Sequence, residues 1–155
     1  MWTGSTGGVS AAPAINPVDR DPTQYLSVQG GKHADLTTPF LNSISFYVGS
    51  LDGYNSFTFL HKNGTSEVFS GSFLDSLPFT EANGDQAGAT TNGRLRFTFD
   101  NPIQAVTMYS STNALEISDI AGVAAAVPEP STWAFMILGF GGVGALMRRQ
   151  RAAAA

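Results

Sequence analysis

Apolar residues recur at every second position through much of the first 120 residues, the period of a half-buried β-strand. Over residues 41–48, Ile44, Phe46 and Val48 alternate with Ser45 and Tyr47. Over 55–61, Phe57 and Phe59 share one face, with Thr58 and Leu60 on the other. Residues 94–99 point Leu95, Phe97 and Phe99 inward and Arg94, Arg96 and Thr98 outward. Residues 103–109 bring Val106 and Met108 to a core, and 114–120 alternate Leu115 and Ile117 with Glu116 and Ser118. Residues 24–29, 34–37 and 66–71 complete the predicted strands.

Turn chemistry separates these runs. Asn63-Gly64 predicts a tight hairpin joining 55–61 to 66–71, and Asp52-Gly53 and Asn101-Pro102 predict further turns. Residues 72–93 read as irregular, with Phe73, Leu74, Leu77 and Phe79 over one sheet and a polar, exposed loop after them. Residues 1–22 are rich in Gly, Ser, Ala and Pro, with turn formers at Asn16-Pro17 and Asp21-Pro22. They read as a disordered linker or a truncated leader. No amphipathic helix precedes residue 122. Seven or eight short strands with turns between them predict an all-β fold over 23–121, an antiparallel β-sandwich or jelly roll, with 122–127 as a spacer.

The pattern changes at the C-terminus. Pro128-Glu129-Pro130 keeps the chain extended, because each proline fixes its own φ and disfavours helix in the residue before it. Fifteen uncharged residues follow from Trp133 to Met147, then Arg148, Arg149 and Arg151, and a tail at 152–155. With Ser131 and Thr132 the helix would measure roughly 26 Å at about 1.5 Å per residue, close to a hydrocarbon core of about 30 Å. Trp133 suits one interface, and the arginines mark the cytoplasmic side. The expectation is one transmembrane helix, with a buried core helix as the competing reading. Gly139, Gly141, Gly142 and Gly144 make it glycine-rich, and Gly141 with Ala145 forms a small-xxx-small pair that permits close helix approach. The same spacing occurs in apolar helices with no partner.

Pro128-Glu129-Pro130, Trp133-Ala134, the run through Gly139-Phe140-Gly141-Gly142-Val143-Gly144 and the Arg cluster together resemble a PEP-CTERM sorting signal over 128–151. That resemblance implies a substrate of an exosortase, a membrane protease-transpeptidase of Gram-negative bacteria. It implies cleavage at or near Pro128-Glu129-Pro130, an inner-membrane single-pass precursor with a periplasmic N-terminal domain, and delivery of that domain to the cell surface or the exopolysaccharide of a biofilm matrix. Tails of this kind also occur on some ice-binding proteins. Tyr25-Leu26-Ser27-Val28 and the stretch from Ile44 to Phe59 are similar to the small β domain of many exosortase-dependent surface proteins, which implies a sandwich ectodomain.

Charge supports export. Five basic residues against eleven acidic ones precede Pro128, a balance of −6 that disfavours nucleic acid and anionic lipid. Charged residues are only 13% of the chain, and there is no cysteine for disulfides or thiolate metal sites. The first eight residues lack the basic and apolar regions of a signal peptide. Set beside the tail, that predicts either a truncated reading frame or an unused tail.

Candidate chemistry is sparse, and no cofactor or metal is expected. His33 and His61 could each join a serine and a carboxylate, but no nucleophile-elbow motif is present, and His61 reads as an exposed hairpin residue. Asp52, Asn55, Asp75 and Asp85 could offer oxygens to calcium without forming a compact loop motif; turn chemistry is the simpler reading. Tyr47, Tyr54 and Tyr109 could stack on sugars if they shared an exposed face. Thr37, Thr38, Thr90 and Thr91 form no regular array. The sequence therefore predicts a non-enzymatic exported surface protein, then a carbohydrate-binding module sent by the same route, then a secreted hydrolase.

Overall fold

The computed structural model describes residues 1–14, 20–77, 81–126 and 130–153. The expectations placed on Asn16-Pro17, Phe79 and Val127-Pro128-Glu129 fall outside the described residues. The chain divides into two units, 1–125 and 126–155.

The first unit is all-β, with antiparallel pairing throughout. Its strands are β1 (Leu26–Val28), β2 (Lys32–Gly49), β3 (Asn55–His61), β4 (Ser66–Ser70), β5 (Gly93–Ser110) and β6 (Leu115–Ala124). In place of the expected sandwich of separate sheets, the strands form one six-stranded sheet in the order β1-β6-β2-β5-β3-β4. The difference arises in β2 and β5, each 18 residues long, where ordinary strands run about 5–6. Residues 34–37 and 41–48 are one strand, and so are 94–99 and 103–109. Asn101-Pro102 does not turn the chain.

Pairing instead slips in the middle of the ladder. Thr37 faces Ala105, Leu41 faces Ile103, and Ser43 faces Thr98, so residues around Pro39 and Pro102 are skipped. A proline has no N–H to give a ladder, and bulges tolerate that loss while bending the strand. Beyond the slip, residues 43–48 of β2 lie between β6 and residues 93–98 of β5, while residues 103–110 of β5 lie beside β3.

The bend turns the two halves of the sheet toward each other. Phe46 and Phe97 come from one half, Phe57 and Phe59 from the other. Their rings meet at 5.5 Å for Phe46–Phe57 and 4.8 Å for Phe59–Phe97. Phe69 from β4 joins Phe97 at 5.2 Å. Each such ring, fully buried, contributes roughly 1.5–3 kcal/mol. The core is therefore an aromatic layer enclosed by a single folded sheet.

The hairpin at Asn63-Gly64 forms as its sequence dictates. The Thr65 amide and hydroxyl donate to Asn63 Oδ1 at 3.0 and 2.7 Å, and Gly64 takes the positive φ of 86° that glycine accepts without strain. Within the segment expected to be irregular, a single turn, α1 (Gly71–Leu74), is capped by Ser70, whose hydroxyl accepts from the Phe73 amide at 3.1 Å. The later loop is not wholly exposed, because Thr91 and Asn92 are buried.

The N-terminal stretch expected as a linker lies against the sheet over its described part. Ser10, Ala11, Ala12 and Ala14 are buried, and Trp2 bridges Tyr25 through two backbone hydrogen bonds of 2.8 and 3.0 Å. Small residues allow that close approach: a Cβ on Gly49 would meet Pro13 Cα at 2.8 Å. Residues 122–124, expected as spacer, extend β6.

The second unit is one helix, α2 (Pro130–Ala153). It begins at the second proline of the motif, a residue suited to a first helical turn.

Candidate functional site

Two regions of the chain concentrate chemistry, the C-terminal helix and a buried polar centre in the β domain. In α2, Trp133, Phe135, Ile137, Leu138 and Phe140 are all exposed, so the apolar side chains are not confined to one stripe. Ala134 lies between them, and Met147 closes the run before Arg148 and Arg149 in the last turns. Arg151 belongs to the helix, but its side chain lies outside the described ones. Nothing stands within 4 Å of a Cβ built on Gly139, Gly141, Gly142 or Gly144, so these positions leave open grooves along the helix.

The transmembrane expectation is met only in part. The helix forms, yet among the described residues no helix is long and apolar enough to cross a membrane. Four glycines dilute the apolar run, and a window of membrane length must include the polar Ser131 and Thr132 or an arginine.

The polar centre was not foreseen. Glu116 is 1% exposed on β6 and accepts three hydrogen bonds. Ser10 Oγ donates at 3.2 Å, the Ala11 amide at 3.0 Å, and Ser50 Oγ at 3.1 Å. Ser10 Oγ also lies 3.0 Å from the buried Tyr25 hydroxyl, which donates to Gly4 O at 2.7 Å. Burial holds the Glu116 carboxyl above its usual range, and the bonds from Ala11, Ser50 and Ser10 only partly offset this. Asn92 ties the next part of the same segment: its Oδ1 accepts from the Ala14 amide at 3.0 Å and the Ser50 amide at 3.2 Å. These contacts clamp the N-terminal stretch to the sheet. They leave no oxygen of Glu116 free of a donor. The alternation of β6 assigned Glu116 to solvent; a segment more than a hundred residues away covers it.

The two candidate histidines lie apart from each other, and each stands beside a carboxylate, His33 Nε2 at 3.6 Å from Asp35 Oδ2 and His61 Nε2 at 3.5 Å from Glu67 Oε2. His33 stands opposite Tyr109 and His61 opposite Ile103, six residues apart along β5. His61 is not the exposed hairpin residue expected: it is 8% exposed, its Nδ1 is 2.8 Å from Asn101 O, and its Nε2 is 3.5 Å from Glu67. The bulge beside it brings Asn101 O to the ring's edge, with Phe99 packed edge-on at 5.5 Å.

The acidic loop residues act in turns. Asn55 Oδ1 accepts from the Asp52 amide at 2.7 Å, Asp75 from the Ala82 amide and Asp85 from the Ala87 amide, each at 2.9 Å. No cluster of three or more His, Cys, Asp or Glu suited to a metal occurs among the described residues. Asp52 is held above the usual carboxylate range, burial being the main cause, while Asp21 is held below it, chiefly by a hydrogen bond from Thr23.

The tyrosines separate. The Tyr47 and Tyr54 hydroxyls donate to the carbonyls of Ala14 at 2.7 Å and Asn113 at 3.0 Å. Tyr109, on the half of the sheet away from Tyr47, stands 39% exposed. Of the four threonines, Thr37 is on β2 opposite Ala105, and Thr91 is buried in the loop, where it bonds backbone carbonyls.

Comparison with known proteins identifies the tail. The family model described as the PEP-CTERM protein-sorting motif matches residues 126–152. The chain thus carries a C-terminal signal of the class that marks exported proteins for sorting toward the cell envelope or surface. Such signals are recognised by exosortase, a membrane-associated processing enzyme. No curated protein matches the chain, and no solved structure matches it.

Proposed function

We propose that this chain is a non-enzymatic surface or exopolysaccharide-matrix protein, delivered as a β domain and released or transferred by an exosortase at or near Pro128-Glu129-Pro130. The observation that carries the reading is the motif match over 126–152, on a helix that forms a unit apart from the β domain. In this reading Trp133–Met147 enters the inner membrane as a short, marginal span. Local thinning of the bilayer and snorkelling of Arg148 and Arg149 accommodate a deficit of a few residues. A marginal span suits a transient precursor, since the helix needs to hold the substrate only until it is cut. The arginines keep the C-terminus cytoplasmic and the β domain periplasmic.

The test is the C-terminal peptide of the protein from its native cells, measured by mass spectrometry with and without the sorting protease. A new terminus near 128–130 that disappears with the protease supports the proposal. A chain ending at Ala155 in both strains overturns it.

A second reading, a carbohydrate-binding module sent by the same route, rests on Tyr109 alone of the three tyrosines, exposed in one row with His33 and Ser56.

A further inference from the structure

The outer face of the β2-β5-β3 half-sheet holds an ordered polar platform. The pairing register sets His33, Tyr109 and Ser56 in one row across three strands, and Asp35, Thr107 and Thr58 in the next. Directly paired residues point to the same side of a sheet. The intervening row, Ala34, Met108 and Phe57, faces the core, so these six face outward. Asp35 does not swing freely: the Thr107 hydroxyl donates to its Oδ1 at 2.6 Å, and His33 Nε2 lies 3.6 Å from its Oδ2. His33 and Asp35 are nevertheless about two thirds exposed, at 64% and 61% of their side chains. Tyr109, 39% exposed, stands in the same row as His33.

We infer that this face binds a neutral polysaccharide chain, with Tyr109 as the stacking platform and His33, Asp35, Thr107, Ser56 and Thr58 as the hydroxyl-bonding groups. The chemistry selects that class. A pyranose offers an apolar C–H face, matched by an aromatic ring, and equatorial hydroxyls, matched by a fixed carboxylate, an imidazole and side-chain hydroxyls. None of the six residues is Lys or Arg, and the part of the chain before Pro128 carries −6, so an anionic polymer has nothing here to pair with and is repelled. With strands about 4.8 Å apart and a rise of about 3.4 Å per residue, the six residues span roughly 10 Å across the strands and roughly 7 Å along them, room for about two sugar rings. An open sheet face suits a long chain lying across it rather than a small molecule sealed inside.

This inference deepens the carbohydrate reading and rests on it. It is independent of the cleavage measurement, which reads only the tail. The test is native affinity electrophoresis of the full-length chain in a polyoxyethylene detergent, which carries no sugar headgroup to compete. The gels contain a neutral β-glucan, a galactomannan, dextran or, as the anionic comparison, alginate. Retardation in a neutral gel and none in alginate is expected. Tyr109→Ala should weaken the retardation by about tenfold and Asp35→Asn by a few-fold, whereas Tyr109→Phe should keep it, as should Val123→Thr on the other half of the sheet. Passage through all three neutral gels without retardation overturns the inference. So does retardation in alginate as strong as in the neutral gels, or retardation that Tyr109→Ala leaves unchanged.

Discussion

Glu116 offers the sharpest test of how the β domain is held together. Replacing it with alanine removes the acceptor of three hydrogen bonds at 3.0–3.2 Å from a site that is 1% exposed. The Ser10 hydroxyl can turn to Tyr25 or Ser27, which already lie 3.0 and 2.7 Å away. The Ala11 amide cannot turn, and a buried donor without a partner costs about 1–3 kcal/mol. Adding the lost packing of the side-chain methylenes, the N-terminal segment should come off the sheet more easily by about 2–4 kcal/mol. Hydrogen exchange followed by mass spectrometry reads this directly: amides in residues 9–14 should exchange about 30-fold to several hundred-fold faster, while β3 and β4 change little. Glu116→Gln keeps the shape and isolates the charge. Burial raises the Glu116 pKa in the folded chain from an ordinary 4.5. A carboxyl raised in this way contributes its full stability below the unfolded value and loses it as pH rises through the folded one. The stability of wild type relative to Glu116→Gln should therefore fall as pH rises above the ordinary value of 4.5. Unchanged exchange at residues 9–14 in the alanine variant, or a difference that grows in favour of wild type with rising pH, would refute the account.

Two other substitutions probe the bend and the core. Phe59→Ala removes a fully buried ring in contact with Phe97 at 4.8 Å and Phe99 at 4.9 Å, and should cost about 3–5 kcal/mol in denaturant unfolding. A loss below about 1 kcal/mol would mean that the two half-sheets do not meet there. Gly71→Ala would drive a Cβ into the Asp52 carbonyl and should destabilise by about 1–3 kcal/mol, seen as a lower thermal midpoint; an unchanged midpoint would show that the α1 turn can shift away from Asp52.

The legible parts of this chain were the local ones. Asn63-Gly64 specified its hairpin because the turn and both strands are neighbours in sequence. The core faces of 41–48, 55–61 and 94–99 could be read because one side of each faces the aromatic layer. The same logic misled at Asn101-Pro102, where a proline between two apolar runs looks like a turn. In the structure it occupies a bulge that a single long strand passes through. His61 was misjudged for the related reason that the bulge beside it, not the hairpin after it, sets its burial.

Glu116 shows the limit most clearly. A period-2 pattern tells which residues alternate, and it sends the polar set to solvent by default. Residues 115–118 are buried on both faces because Ser10 and Ala11 return from the far end of the chain to cover the outer one.

By itself, the sequence determined the all-β class, the hairpin and the sorting tail. Each depends on periodicity, turn residues or a contiguous motif, all of which are local. The tertiary structure decided that β2 and β5 run on as bent strands and that the N-terminal stretch belongs to the domain. It also placed His33, Asp35, Thr107 and Tyr109 on one surface. Those outcomes depend on which distant segments pair and in what register, and pairing is fixed by the collective burial of the aromatic core rather than by any single stretch of chain.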